Sequence, residues 1–322
     1  MAIYYPLVSI ILNVYNGARY VGDCLESILR LEGDAQIQVI VVDDGSTDAT
    51  AQLLDQYRRM PFQIVRIEPN VGAAAAINYA FEFVRGEFTA RIDYDDRYRS
   101  NFLIKSLEAL RTWPEAAFVC APVQSIDEWG NPGKMFNPIS HGQEPGCRDR
   151  FADLLCNNFV TAPTLLARTR HLRNALPIPK GMDFCDWYMN LVMAESAGVA
   201  IIEDVTADYR VHSNGMHLTK VRTGMGERVT SEVLDRFLIN GPRTKELAPL
   251  ARTIRGGHKK DWGDKYFAAK MHKDAMRCYR QAFWLMPSLC EDMGMMRRIA
   301  GMSLGRGRYE ALKMRLKTMR LS

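Results

Sequence analysis

Val39-Ile40-Val41-Val42-Asp43-Asp44-Gly45-Ser46-Thr47-Asp48 is a run of branched apolar residues that stops on two carboxylates and a set of turn formers. The apolar run is too short for a membrane span and too rich in β-branched residues for a helix, so it reads as a buried strand. A second stretch repeats the arrangement: Phe88-Thr89-Ala90-Arg91-Ile92 leads into Asp93, Asp95 and Asp96. Carboxylates are poorly placed for packing at a strand's carboxyl end, but that edge is where ligands bind in an open α/β sheet. Two such clusters predict a site that holds a divalent cation and a phosphorylated ligand.

Short apolar strands and amphipathic helices alternate on either side of these stretches. Strands are expected at Val8–Val14, Val39–Asp43, Phe62–Ile67, Phe88–Asp93 and Ala116–Ala121. Helices are expected over Ala18–Leu31, from about Asp48, over Ala73–Val84 and over Leu103–Trp113. The alternation predicts an α/β fold with a mostly parallel, doubly wound, Rossmann-like sheet. After Pro122 the rhythm breaks. Turn formers at 128–133 and a polar stretch to Arg150 read as loop, and Thr161–Arg168 reads as a strand returning to the sheet. A helix over Asp186–Ala197 and short strands at Ala200–Ile202 and Thr206–Val211 follow. Beyond His217 the pattern is helical, with a break at Asn240-Gly241-Pro242. The segment Asp264–Pro287 reads as two packed amphipathic helices, similar to one tetratricopeptide-type pair. The expected domains are 1–217 and a helical region 218–322.

Composition narrows the function. With 47% hydrophobic and 25% charged residues the chain can bury a substantial core. Seven scattered cysteines without C-x-x-C spacing argue against a zinc site or disulfide framework and suit a reducing compartment. The segment 1–6 lacks the features of a signal peptide, and no stretch approaches the ~18 apolar residues of a spanning helix. Glycine-rich phosphate loops, H-E-x-x-H and G-x-S-x-G are absent, which disfavours dehydrogenase, P-loop and hydrolase chemistry. The net charge of +5 conceals an asymmetry: from Lys245 onward 18 Lys and Arg face 7 Asp and Glu.

Five motifs in order carry a resemblance. Val8-Ser9-Ile10-Ile11-Leu12-Asn13-Val14-Tyr15-Asn16 is followed by Val41-Val42-Asp43-Asp44-Gly45-Ser46-Thr47-Asp48. Asn70-Val71-Gly72 with Ala76-Ile77-Asn78 comes next, then Gly86 to Asp96, and finally Tyr209-Arg210-Val211-His212. Together they resemble glycosyltransferase family 2, whose members have the glycosyltransferase-A fold. The resemblance implies an inverting, cation-dependent enzyme that moves a sugar from a nucleotide-sugar donor to a hydroxyl of a glycan or lipid-linked glycan. In that reading Asp44 meets the base, with Asn13 or Tyr15 adding contacts; apart from the resemblance, D-G-S-T-D is also good turn chemistry in which Asp43 and Asp48 cap the following helix. Asp93 meets the ribose, Asp95 binds Mn or Mg, and His212 is a further metal or phosphate ligand. Arg91 is a candidate for the diphosphate. Asp186 is the expected general base, with Asp183 as its alternative, because Cys185 stands where the family usually has Glu.

The segment 297–320 alternates basic and apolar residues, so it suits an anionic membrane face as well as a docked helix. No motif for nucleic acid accompanies the charge. The expected location is the cytoplasm, with peripheral attachment to the inner face of the membrane as the alternative. A different class of reading is a non-catalytic glycan-assembly subunit that recruits partners through its helical tail. A nucleotidyltransferase would need a glycine-rich, lysine-bearing amino-terminal loop that this chain lacks.

Overall fold

The computed structural model describes residues 4–138, 144–182, 184–212 and 217–304. The chain divides into two compact units, Met1–Asn214 and Gly215–Ser322.

In the first unit β1 (Leu7–Val14), α1 (Val21–Leu29), β2 (Gln36–Asp43), α2 (Thr50–Gln56), β3 (Phe62–Arg66), α3 (Ala73–Ala80) and β4 (Phe88–Asp93) follow in strict alternation. Val8, Ile10, Ile11, Leu12 and Val14 are all buried, so both faces of β1 are covered. That is why its sequence reads as a continuous apolar run rather than an alternating one. Then come β5 (Arg97–Tyr98), α4 (Phe102–Thr112), β6 (Ala116–Cys120), β7 (Val123–Ile126), β8 (Pro132–Phe136) and β9 (Gly146–Arg148). The unit ends with α5 (Phe151–Cys156), β10 (Leu166–Arg168), α6 (Thr169–Leu172), α7 (Cys185–Ala194), β11 (Gly198–Ile201) and β12 (Ala207–Arg210).

Eight strands form the main sheet in the order β3-β2-β1-β4-β10-β6-β11-β9. β3, β2, β1 and β4 are mutually parallel, as are β6 and β11, while β10 runs antiparallel between β4 and β6. The chain steps outward from β1 to β3, then crosses back to place β4 on the other side of β1. The sheet therefore has a topological switch point between β1 and β4, where a crevice opens beyond the carboxyl ends.

Two expectations need correction. The strand expected over Thr161–Arg168 is confined to the three residues Leu166–Arg168, because Pro163 sits in a 3-10 turn at Ala162–Thr164 and cannot donate to a ladder. The stretch after Pro122 is not a loop. β7 and β8 form a hairpin whose turn is built by Asp127: its Oδ1 accepts from the N–H groups of Trp129 and Asn131, and its Oδ2 accepts from Asn131 Nδ2. The turn formers mark a reversal, and β8 escapes notice because all five of its residues are exposed. With β5 and β12 this hairpin makes a second sheet, β5-β12-β7-β8, which carries Arg210.

The second unit contains α8 (His217–Arg222), α9 (Met225–Leu238), α10 (Thr244–Leu247), α11 (Ala251–Ala268), α12 (His272–Leu285) and α13 (Met293–Leu304). Trp262, Tyr266 and Tyr279 are buried among small residues at helical spacing. Glu227 is buried at the same centre, bonded to Lys259, Tyr266 and Arg277. The part of the expected basic helix beyond Leu304 lies outside the described residues.

Candidate active site

The aspartate-rich strand ends sit side by side. Asn13, the penultimate residue of β1, is in register with Val42 on one side and Asp93 on the other. It therefore occupies the switch point itself. Its Nδ2 lies 3.4 Å from the Ala73 carbonyl, and its Oδ1 is buried without a hydrogen-bond partner. An orphaned acceptor costs free energy unless a ligand donor or water reaches it. Tyr15, just past the strand, is exposed.

Asp44 is 4% exposed and is committed to the neighbouring loop. Its Oδ1 accepts from Val71 N at 2.8 Å, and its Oδ2 accepts from Gly72 N at 2.9 Å and Asn70 Nδ2 at 3.0 Å. The two oxygens together offer about four acceptor positions, so at most one remains for a ligand N–H. Gly45 allows this closeness: its φ is +72°, and a Cβ there would sit 2.8 Å from Asn70 N. Asp43 and Asp48 satisfy backbone donors, Asp43 Oδ1 that of Ser46 and Asp48 those of Thr50 and Ala18. Asn16, which the sequence offered only as a motif ending, accepts from Thr47 N and Asp48 N and so fixes the same turn.

β4 ends at Asp93, and Tyr94 and Asp95 form a turn, so strand alternation does not relate Asp93 to Asp95. Asp93 faces Arg91 instead, one pleat back, with Arg91 Nη1 donating to its Oδ1 at 2.6 Å. Arg91 also lines a small cavity with Asp186, Thr89 and Asn190. Burial works against its charge, but Asp93, with Cys185 and Asp186 beyond it, keeps the guanidinium firmly protonated. Asp186 lies in the first turn of α7, half-buried. Asp183 lies outside the described residues.

Asp95 Oδ2 meets His212 Nε2 at 2.9 Å. Burial and the nearby Asp93 push the Asp95 carboxyl upward, and the His212 hydrogen bond partly offsets this. Asp96 is fully buried, and burial with Asp95 and Asp93 holds it well above the usual carboxylate range. Its Oδ1 accepts from Arg210 N at 2.9 Å. Arg210, 3% exposed, had no role assigned from sequence. Its Nε donates to the Asp95 carbonyl at 2.8 Å, Nη1 to the Asp127 carbonyl at 3.2 Å and Nη2 to Asp23 Oδ2 at 2.6 Å. It ties the acidic turn, the second sheet and α1 together, and thereby sets where His212 stands. The Tyr209 phenol, another group missed, is pushed up to about 12 by burial and by Asp96, Asp93, Asp95 and Asp186 around it.

Asp95, set against the His212 imidazole and two residues from Asp93, is the carboxylate here that is placed to meet a hard cation. Among the described residues no group of three or more acidic, His or Cys side chains closes around an ion. Asp95 and His212 would give a cation two ligands, with the rest left to substrate and water.

The glycosyl transferase family 2 model matches residues 9–172, just over half of the chain and all of the strand ends described above. The chain belongs to this family. An uncharacterized protein of Mycobacterium tuberculosis is 29% identical over 213 residues, 65% of this chain and 60% of that protein. A putative teichuronic acid biosynthesis glycosyltransferase of Bacillus subtilis is 39% identical over 105 residues, 32% of this chain and 41% of that protein. The chain therefore spans about 60% or less of the length of these relatives. Among solved structures, S. aureus TarS 1–349 in complex with UDP-GlcNAc aligns with a TM-score of 0.54 at 17% identity, over 85% of this chain and 90% of that one. The Pyrobaculum calidifontis mannosyltransferase in complex with GDP-Man and Mn2+ aligns with a TM-score of 0.61 at 16% identity, over 96% and 83%. At these identities the likeness establishes a shared glycosyltransferase-A fold. Among the described residues no helix is long and apolar enough to cross a membrane.

Proposed function

We propose that the chain transfers a sugar from a nucleotide-sugar donor to a hydroxyl of a glycan or lipid-linked glycan in cell-surface polysaccharide biosynthesis, with inversion at the anomeric carbon. The observation that carries the reading is the Asp95–His212 contact at 2.9 Å beside the β1–β4 switch point. The ligands of the two structural neighbours, UDP-GlcNAc and GDP-Man with Mn2+, and the teichuronic acid role given to the Bacillus relative point the same way.

In this reading the loop held by Asp44, with Asn13 and Tyr15, receives the nucleoside, and Asp93 meets the ribose. Asp95 and His212 hold a divalent cation, Mn or Mg, which when bound neutralises the leaving diphosphate. Arg91 keeps a positive charge between Asp93 and Asp186. Asp186 takes the proton of the acceptor hydroxyl as its oxygen attacks the anomeric carbon. The bond from that carbon to the diphosphate breaks on the opposite face.

The test is a pair of variants, Asp95→Asn and Asp186→Asn, screened against UDP-, GDP- and dTDP-sugars with and without Mn2+. One nucleotide class should raise the melting temperature of the wild type in a Mn2+-dependent manner. Asp95→Asn should abolish that shift. Asp186→Asn should keep it while donor turnover, read as released nucleoside diphosphate, falls by about 10²–10⁴-fold. Full turnover in Asp186→Asn would move the base to Asp183. A chain whose biological role survives both substitutions is an assembly subunit and not an enzyme.

A further inference from the structure

The outward face of α12 carries a second feature that the transfer reaction does not use. The helix buries Ala275, Cys278, Tyr279 and Ala282. Its opposite stripe runs Lys273, Arg277, Arg280, Trp284, with His272, Met276 and Phe283 beside it, at the three- and four-residue spacing that aligns side chains on one face. The amino-terminal half of this stripe opens on a cleft of about 600 Å³, whose lining includes Lys273, Met276, Arg277, Arg280 and Met302 of α13.

The charges on this face are unevenly compensated. Arg277 is bonded to Glu227 and lies 3.6 Å from Asp274. Lys273 and Arg280 have no ion-pair partner among the described residues, and no carboxylate lines the cleft. One turn beyond Arg280, Trp284 is 72% exposed and Phe283 44% exposed. Arg252 caps that end, with its guanidinium 5.5 Å from the Trp284 ring and a bond to the Trp284 carbonyl. A solvated basic face has no need of an exposed tryptophan. Trp with neighbouring Lys and Arg is the composition of a membrane–water boundary.

We propose that this face docks on an anionic phospholipid surface. A headgroup phosphodiester sits in the cleft against Lys273 and Arg280, while Phe283 and Trp284 enter the headgroup–acyl boundary. Charge alone suits any polyanion; the aromatic pair selects the bilayer, which offers an apolar phase next to its phosphates. The inference is independent of the catalytic reading, because none of these residues belongs to the aspartate-rich edge.

The experiment is flotation of the full chain with phosphatidylcholine vesicles, with and without phosphatidylglycerol, at rising salt. Binding should require phosphatidylglycerol and weaken with salt. Each basic residue at such a surface contributes about fivefold in affinity, so Lys273→Ala with Arg280→Ala should lower binding roughly twenty-five-fold. Vesicles should shift tryptophan emission to the blue in the wild type, and Trp284→Phe should remove most of that shift. All three substituted positions are solvent-facing, so the variants should melt like the wild type and keep its nucleotide-induced shift. The proposal is overturned if the wild type ignores anionic vesicles or binds pure phosphatidylcholine equally well. It is also overturned if the double variant floats like the wild type, which would place binding elsewhere on the basic chain. Displacement by a short RNA at equal charge concentration would make the site one for a soluble polyanion.

Discussion

Asp44→Asn separates reading a base from holding a loop. The carboxylate accepts three bonds from Asn70, Val71 and Gly72, all within 3.0 Å. An amide retains one acceptor oxygen, which turns to the two donors of Gly72 and Asn70, but its NH2 group then faces the Val71 N–H. Each bond to an ionised acceptor is worth about 1.5–3 kcal/mol; one is lost, and the other two are weakened because their acceptor is now neutral. Val71 is 46% exposed, so water reaches the loop and recovers part of that. A net loss of about 2–3 kcal/mol is expected. The urea midpoint of the full chain should fall accordingly. Nucleotide affinity should drop by up to about 30- to 150-fold, because only the fraction of molecules with an ordered loop binds. The drop should be the same for UDP, GDP and dTDP, measured by calorimetry. A variant as stable as the wild type that loses affinity for one nucleotide alone would show that Asp44 reads the base and that its loop contacts are incidental.

Glu227 gives the second unit a pH dependence. Burial pushes its carboxyl up, but the bonds from Arg277 and Lys259 outweigh this and leave it at about 2, against 4.5 for a free side chain. A carboxylate lowered by folding stabilises above its unfolded value, so the contribution of about 3 kcal/mol is complete above pH 4.5 and is lost as pH falls toward 2. Urea titrations at neutral and acid pH should show this, and Glu227→Gln should flatten the curve; an unchanged slope would refute it. Gly263→Ala tests the packing of α11 on α12. Its Cβ would lie 2.5 Å from the Tyr279 ring, which is buried and anchored through its hydroxyl to Asp264 at 2.6 Å. Overpacking of about 1–3 kcal/mol should outweigh the roughly 1 kcal/mol gained in helix propensity, and a raised melting temperature would contradict that.

Periodicity made the parallel half of the first unit legible. β4 coincides with the expected Phe88–Asp93, and β1, β2, β3 and β6 differ from expectation only at their ends. Buried parallel strands write a continuous apolar run, and the interleaved helices write a 3.6-residue one, so the two are hard to confuse. Of the second sheet only β12 was legible, within the expected Thr206–Val211. β5 has two residues, β8 has no buried face, and both exist only because β12 and β7 lie between them. The Asp93, Asp95 and Asp96 cluster was legible as a motif but its geometry was not, since the strand ends at Asp93 and a turn carries Asp95.

What the sequence determined by itself is the set of carboxylates and their places at strand ends, because local pattern fixes where a strand stops. Only the tertiary structure decided which of them face one another. Asp44 is spent on a loop 26 residues away, Asp93 is neutralised by Arg91, and Asp95 is matched to His212 across 117 residues of chain. Beside the last of these stands one buried guanidinium, Arg210, whose bonds to Asp95, Asp127 and Asp23 join segments that no sequence period relates.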